Sequence, residues 1–199
     1  MPLSEQQIEK MKRKRKSIME AATYLFATEG YEGTTIKKVS ASAGISFGSV
    51  FTYFKDKEEL FHTVVVEPLE DFSNQVLEFD EAAEEPLVEL EKMIKHHMSI
   101  FSGMNHYLQL VVQVIGQHER FLDTFESLDQ FHNQFRGKVS RLIENGQQKG
   151  LLIKQDPLIV ATLYTSLLIG MRLNSTDRRY SDIWEEFALA TIAIFGPIR

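Results

Sequence analysis

Apolar residues recur along this chain at three-to-four spacing, and runs alternating with period two are nearly absent, so helices are expected throughout. Ile18, Ala21, Ala22, Leu25 and Phe26 mark the inner face of a first helix from about residue 5 to 28, with Gly30 just past its end. Two short helices follow. Thr34 or Thr35 can cap "IKKVSASA", Gly44 ends it, and Ser46 can cap a helix of about seven residues, "FGSVFTY". A fourth helix opens near Asp56, with Glu58 and Glu59 where the helix dipole favours anions, and Pro68 is expected to kink or interrupt it. After "DEAAEEP", a linker candidate, Leu87, Leu90, Ile94, His97 and Phe101 share one helix face, and residues 104 to 115 form a shorter apolar helix. A long stripe, Phe121, Phe125, Leu128, His132, Phe135, Val139 and Leu142, precedes a helix capped by Asp156 and begun by Pro157, and a last helix starts near Ser181. The expected class is all-α, with about nine helices.

Composition narrows the functions. The 199 residues include no cysteine, which excludes disulfides, thiol catalysis and cysteine-based zinc sites. The N-terminus has a charged cluster without an apolar segment behind it, unlike a secretory signal. The longest apolar run, Pro157 to Met171, is too short to span a bilayer. A cytoplasmic protein with no membrane partner is the expectation. The net charge of −6 conceals a division: residues 1–57 carry ten Lys/Arg against six Asp/Glu, while the remainder carries 12 against 22. A basic end joined to an acidic body suits a polyanion-binding module.

Within the basic end, residues 35–53 give a helix of about eight residues, a turn of about three containing Gly44, and a second helix, the spacing of a helix-turn-helix. The second helix of such a unit enters the DNA major groove. Gly48 and Ser49 are small where backbone must approach DNA, and Val50 and Phe54 are placed to anchor the helix from behind. The stretch "YEGTTIKKVSASAGISFGSVFTYFKDKEELF", with "AATYLFATEGY" upstream, resembles the DNA-binding segment of the tetracycline-repressor (TetR) family of bacterial transcriptional regulators. The likeness covers roughly residues 13–62.

That resemblance implies a helix-turn-helix DNA-binding domain over residues 1–57 and a helical regulatory and dimerisation domain over residues 58–199. The protein would be a repressor that binds a palindromic operator as a homodimer and leaves double-stranded DNA when a small-molecule effector binds. It implies no cofactor, no metal and no catalytic residue. Thr35, Lys37, Tyr53, Lys55 and Lys57 correspond to phosphate contacts, and Ser46, Phe47, Gly48, Ser49 and Thr52 to positions at the groove. Two residues depart from the family. Phe47 stands where a polar or basic residue is common, and Phe51 where many relatives have tyrosine. The basic run at residues 10–16, at or before the start of the first helix, can serve as a DNA-binding arm or as a solubilising tail.

In the body, Phe101, Tyr107, Phe125, His132, Tyr164 and Met171 are candidates to line an apolar ligand pocket, though aromatic stripes also build plain core. The last two long helices are apolar on more than one face, which suits a dimer interface through Leu158, Thr165, Ile169, Trp184, Ala188 and Phe195. Two alternatives remain. One is an architectural or spatial DNA-binding protein without an inducer. The other is a helical di-iron enzyme, for which Glu59 to His62 supplies only one of the two Glu-x-x-His matches required.

Overall fold

The computed structural model describes residues 4–174 and 184–198, and the secondary structure there is helical. The helices are α1 (Glu5–Gly33), α2 (Ile36–Ser42), α3 (Phe47–Val50), α4 (Lys57–Val76), α5 (Pro86–Gly103), α6 (Asn105–Gly116), α7 (Leu122–Gln148), α8 (Pro157–Asn174) and α9 (Trp184–Thr191), with a 3-10 turn at Ile192–Phe195. One isolated antiparallel bridge joins Leu152 and Pro197. Among the described residues, no helix is long and apolar enough to cross a membrane, and no cluster of three potential metal ligands occurs.

Local signals in the sequence set most boundaries. Ser4 caps α1 by accepting from the Gln7 N–H, and the Gln7 side chain accepts from the Ser4 N–H. At Gly30 the backbone turns to φ 73°, ψ 172°, so the regular helix stops there, and the Thr34 hydroxyl closes the turn by donating to the Gly30 carbonyl. Asp56 Oδ1 accepts from the Glu59 N–H at 2.8 Å, and Asp156 Oδ1 accepts from the amides of Leu158 and Ile159. Contrary to expectation, α3 has four helical residues rather than seven. After Val50 the chain closes 3-10-type turns, Thr52 N–H to Ser49 O and Tyr53 N–H to Val50 O, which tighten the end of a short helix. The Ser46 hydroxyl does not cap α3; its Oγ lies 2.6 Å from Ser49 Oγ.

Contacts divide the chain into two compact units. The first unit comprises residues 1–69 and 106–125, the second residues 70–105 and 126–199. Hydrogen bonds explain why α6 joins the N-terminal helices. The Tyr107 hydroxyl donates to the Val65 carbonyl in α4 at 2.8 Å, and Gln113 Nε2 donates to the Phe26 carbonyl at the same distance. An aromatic cluster adds to them: Phe26, Tyr31, Phe61 and Phe121 pack with centroids 4.6–5.8 Å apart. Helix α4 runs through Pro68, which lacks the N–H that would bond residue 64. Tyr107 thus supports the neighbouring carbonyl on the turn that the proline weakens.

In the second unit, α5 packs against α8 and α9, with Leu90, Met93, Ile94, Met98 and Phe101 buried. At its centre His97 is fully buried. Its Nε2 lies 2.8 Å from the Val76 carbonyl at the end of α4, and its Nδ1 lies 2.7 Å from the Tyr164 hydroxyl. A carbonyl can only accept, so Nε2 carries the proton and the tyrosine donates to Nδ1. Burial holds the imidazole neutral, with its pKa lowered to about 4.

The unfolded chain protonates His97 near 6.5, whereas the folded protein keeps it neutral until about pH 4. Stability contributed by the neutral ring is therefore complete above 6.5 and declines as pH falls toward 4, by an amount on the order of 3 kcal/mol. Thermal melts between pH 7 and 4.5 should show a shallower decline in His97→Gln than in the unchanged protein. Equal slopes would contradict this assignment.

Candidate nucleic-acid interface

Residues 35–57 build an exposed surface on a buried foundation. Thr35 caps α2 by accepting from the Lys38 N–H at 3.2 Å, while remaining exposed. Gly44, at φ 66°, makes the turn that L side chains rarely adopt, and the Ser17 hydroxyl bonds the preceding Ala43 carbonyl. Behind α3, Val50 and Phe54 are 0% and 2% exposed, and the Arg15 guanidinium lies 5.4 Å from the Phe54 ring centroid. In front, Ser46, Phe47, Gly48 and Thr52 are exposed and Ser49 and Tyr53 half-buried.

Gly48 is informative because its own protein does not require it. A Cβ built there would meet no atom within 4 Å, and its φ is not positive. Glycine inside a helix costs roughly 1 kcal/mol relative to alanine, so nothing within the chain accounts for the small residue. Close approach by another molecule's backbone would account for it.

The cations on this surface differ in what they can do. Lys37 and Lys55 are exposed, which leaves their ammonium groups available to phosphate. Lys38 is bonded to Glu29 and to the Gly33 carbonyl. Lys57, expected as a phosphate contact, is turned toward the protein: its Nζ donates to the Tyr31 carbonyl at 2.9 Å and sits 4.1 Å from the Tyr31 ring centroid, with Glu32 at 4.0 Å. Arg120 lies over the same ring at 4.6 Å and pairs with Glu32. Lys57 therefore secures the start of α4 to the end of α1.

The basic run at 10–16 belongs to α1, beyond its capped start, and is not a separate arm. Arg13 and Lys16 face Glu9 and Glu20 one turn away, and Arg15 Nη1 and Nη2 donate to the two oxygens of the Glu67 carboxylate, lowering its pKa.

The six pocket candidates are divided between the two units. Tyr107 and Phe125 fall in the first unit and the other four in the second. Tyr107 and Tyr164 are buried and spend their hydroxyls on Val65 and His97, and Phe101 packs edge-on to Phe72 at 5.4 Å. His132 Nε2 donates to Thr165 Oγ1 at 3.0 Å, because the Thr165 hydroxyl is donated to the Thr162 carbonyl. Met171 borders an open groove of about 650 Å³, lined also by Leu163, Leu167, Gly170, Phe187 and Ile194.

The dimer candidates divide similarly. Leu158 is exposed and Ile169 half-buried, but Thr165, Ala188 and Phe195 are buried within their own chain and have almost no surface for a second copy. Phe195 packs on Tyr164, with centroids 5.2 Å apart. The Trp184 side chain lies outside the described residues. Sequence periodicity missed Ile159 and Leu163, which are 60% and 57% exposed and share a face of α8 with Ser166, Leu167 and Gly170.

A family model described as bacterial regulatory proteins, tetR family, matches residues 18–64. The chain is 26% identical over 160 residues to the HTH-type transcriptional regulator YhgD of Bacillus subtilis, covering 79% of this chain and 82% of that one. It is 24% identical over 143 residues to the fatty acid metabolism regulator protein of the same species, covering 70% and 73%. Its fold is similar to that of AibR, solved in complex with isovaleryl coenzyme A and operator DNA, with TM-score 0.74 and 18% identity over 93% of this chain and all of that one.

Substitution separates the cations by role. Lys37→Gln or Lys55→Gln should each flatten the dependence of log affinity for DNA on log salt by about one unit, with melting temperature unchanged. Lys57→Gln should instead lower stability by about 1 kcal/mol, through loss of the carbonyl and ring contacts. Fluorescence anisotropy across a salt series, with melts alongside, measures both.

Proposed function

Because the chain belongs to the tetR family of bacterial regulatory proteins, and is thus a transcriptional regulator rather than an enzyme, we propose that it is a repressor. In this reading it binds a palindromic operator as a homodimer and is released by a small-molecule effector. The observation that carries the DNA-binding reading is the exposed α3 surface, with its unexplained Gly48, flanked by Lys37 and Lys55. Thr35, Ser46, Ser49, Thr52 and Tyr53 lie on or beside that surface, where hydroxyls suit phosphate and base-edge contacts.

The dimer reading is supported by the apolar face of α8. Ile159, Leu163 and Leu167 recur at four-residue spacing, with Ser166 and Gly170 on the same face, and Leu158 extends the exposed area. Small residues there let two such helices approach closely, and a two-fold pair places this one patch against its own copy. Two recognition helices related by two-fold symmetry require inverted half-sites separated by a helical turn, about 34–36 Å, or its multiples.

Acyl-coenzyme A thioesters are the first effectors to test, because AibR binds isovaleryl coenzyme A and another similar protein is a fatty acid metabolism regulator. Closure of Tyr107, Tyr164 and Phe101 into the core favours a second reading, regulation of DNA without an inducer. Addition of short- and long-chain acyl-coenzyme A to the protein–operator complex decides between them for this class of effector.

Selection from random duplexes should enrich an inverted repeat. Leu163→Glu should give a monomer by sedimentation and weaken operator binding by at least tenfold, since it places an unpaired charge at a buried contact. An unpatterned selection, or a dimer unaffected by Leu163→Glu, would count against the respective reading.

A further inference from the structure

Phe47 and Phe51 are 53% and 45% exposed, although α3 already has its anchors in Val50 and Phe54. One helical turn apart, their rings meet edge to face, with centroids 5.2 Å apart and planes at 75°. They form an exposed apolar ridge in a segment that the exposed Lys37 precedes and the exposed Lys55 follows along the chain. Two large rings kept in water, paired with each other and outside the core, call for an external apolar partner. The surrounding cations favour a polyanion as the molecule that carries it.

The neighbouring side chains restrict what can be read. Between Gly44 and Phe54 no Arg, Lys, Asn, Gln, Asp or Glu occurs, so the recognition element has none of the side chains that form paired hydrogen bonds to guanine or adenine or accept from cytosine. Ser46 and Ser49 share a hydrogen bond of 2.6 Å, and hydroxyls discriminate weakly among bases in any case. In the major groove the apolar mark of sequence is the C5-methyl group of thymine.

Resting on the DNA-binding reading above, we propose that Phe47 and Phe51 recognise the operator through thymine methyl groups, one at each of two neighbouring bases in every half-site. The ring separation is comparable to one or two base steps of about 3.4 Å each. Lys37 and Lys55 then set position through phosphates, and the phenylalanine pair sets sequence.

Deoxyuridine tests this directly, because it pairs like thymidine and lacks only the methyl. Each thymine of the half-site obtained by selection is replaced in turn, and affinity of the full-length protein is measured by anisotropy at fixed salt. At two neighbouring positions per half-site the loss should be roughly fourfold, the change equivalent to about 0.8 kcal/mol for one buried carbon. Phe47→Ala should abolish the thymine-to-uracil difference at one of these positions and Phe51→Ala at the other, as coupled pairs do. The salt slope should stay unchanged in both, which separates methyl contact from phosphate contact. Both side chains are largely exposed, so truncation removes little core, and the uracil series on the unaltered protein needs no variant.

Equal affinity for thymine and uracil at every position, with the operator still preferred over random DNA, would overturn the methyl reading and leave DNA binding intact. A uracil penalty that persists in both alanine variants would overturn the assignment to these rings. Failure to prefer any sequence would sink this proposal together with the reading on which it rests.

Discussion

A helix of four residues cannot hold itself in water, and the candidate DNA surface depends on holding α3 in place. Its support comes from behind and from its ends. Val50 and Phe54 are buried beneath it, and burial of side chains of this size contributes roughly 1.5–3 kcal/mol each. Gly44 turns the chain into it, Ser17 fastens the preceding carbonyl to α1, and Arg15 lies against Phe54 while bonded to Glu67. These supports leave the outer side of α3 without an internal structural duty. Gly48, Phe47 and Phe51 can therefore be chosen for what they meet outside.

The same economy applies to charge. Ten basic residues in the first 57 suggest a broad phosphate-binding surface, yet several are already committed. Arg15 bonds Glu67, Lys38 bonds Glu29, and Lys57 is stacked on Tyr31. A cation engaged in this way has given up part of its hydration and mobility, and recruiting it to phosphate would mean breaking contacts that hold helices together. Lys37 and Lys55 remain as the cations of the short motif that face solvent.

Within the two units, buried polar aromatic groups act as joints. His97 bonds the last carbonyl of α4 and the Tyr164 hydroxyl, while Tyr107 bonds a carbonyl in α4 beside Pro68. Each satisfies a group that would otherwise be buried unpaired, and such pairing is worth more where the dielectric is low. Residues that suggest ligand contacts by type are here occupied in joining helices.

Helices, caps and the glycine turn were legible from the sequence because each is decided by neighbours within a few residues. Asp56, Asp156, Thr35 and Gly44 act locally and stand where pattern and chemistry placed them. So did the helix-turn-helix spacing, apart from the length of α3, which ends early in 3-10 turns. Tertiary structure alone decided matters that depend on partners far along the chain. The carbonyl of Tyr31 and its ring take up Lys57, α6 joins the first unit through Val65 and Phe26, and Thr165 and Phe195 turn inward to His132 and Tyr164. Periodicity identifies that a helix has two apolar faces; which face its own core covers is set by packing, and for α8 this left Ile159 and Leu163 outside.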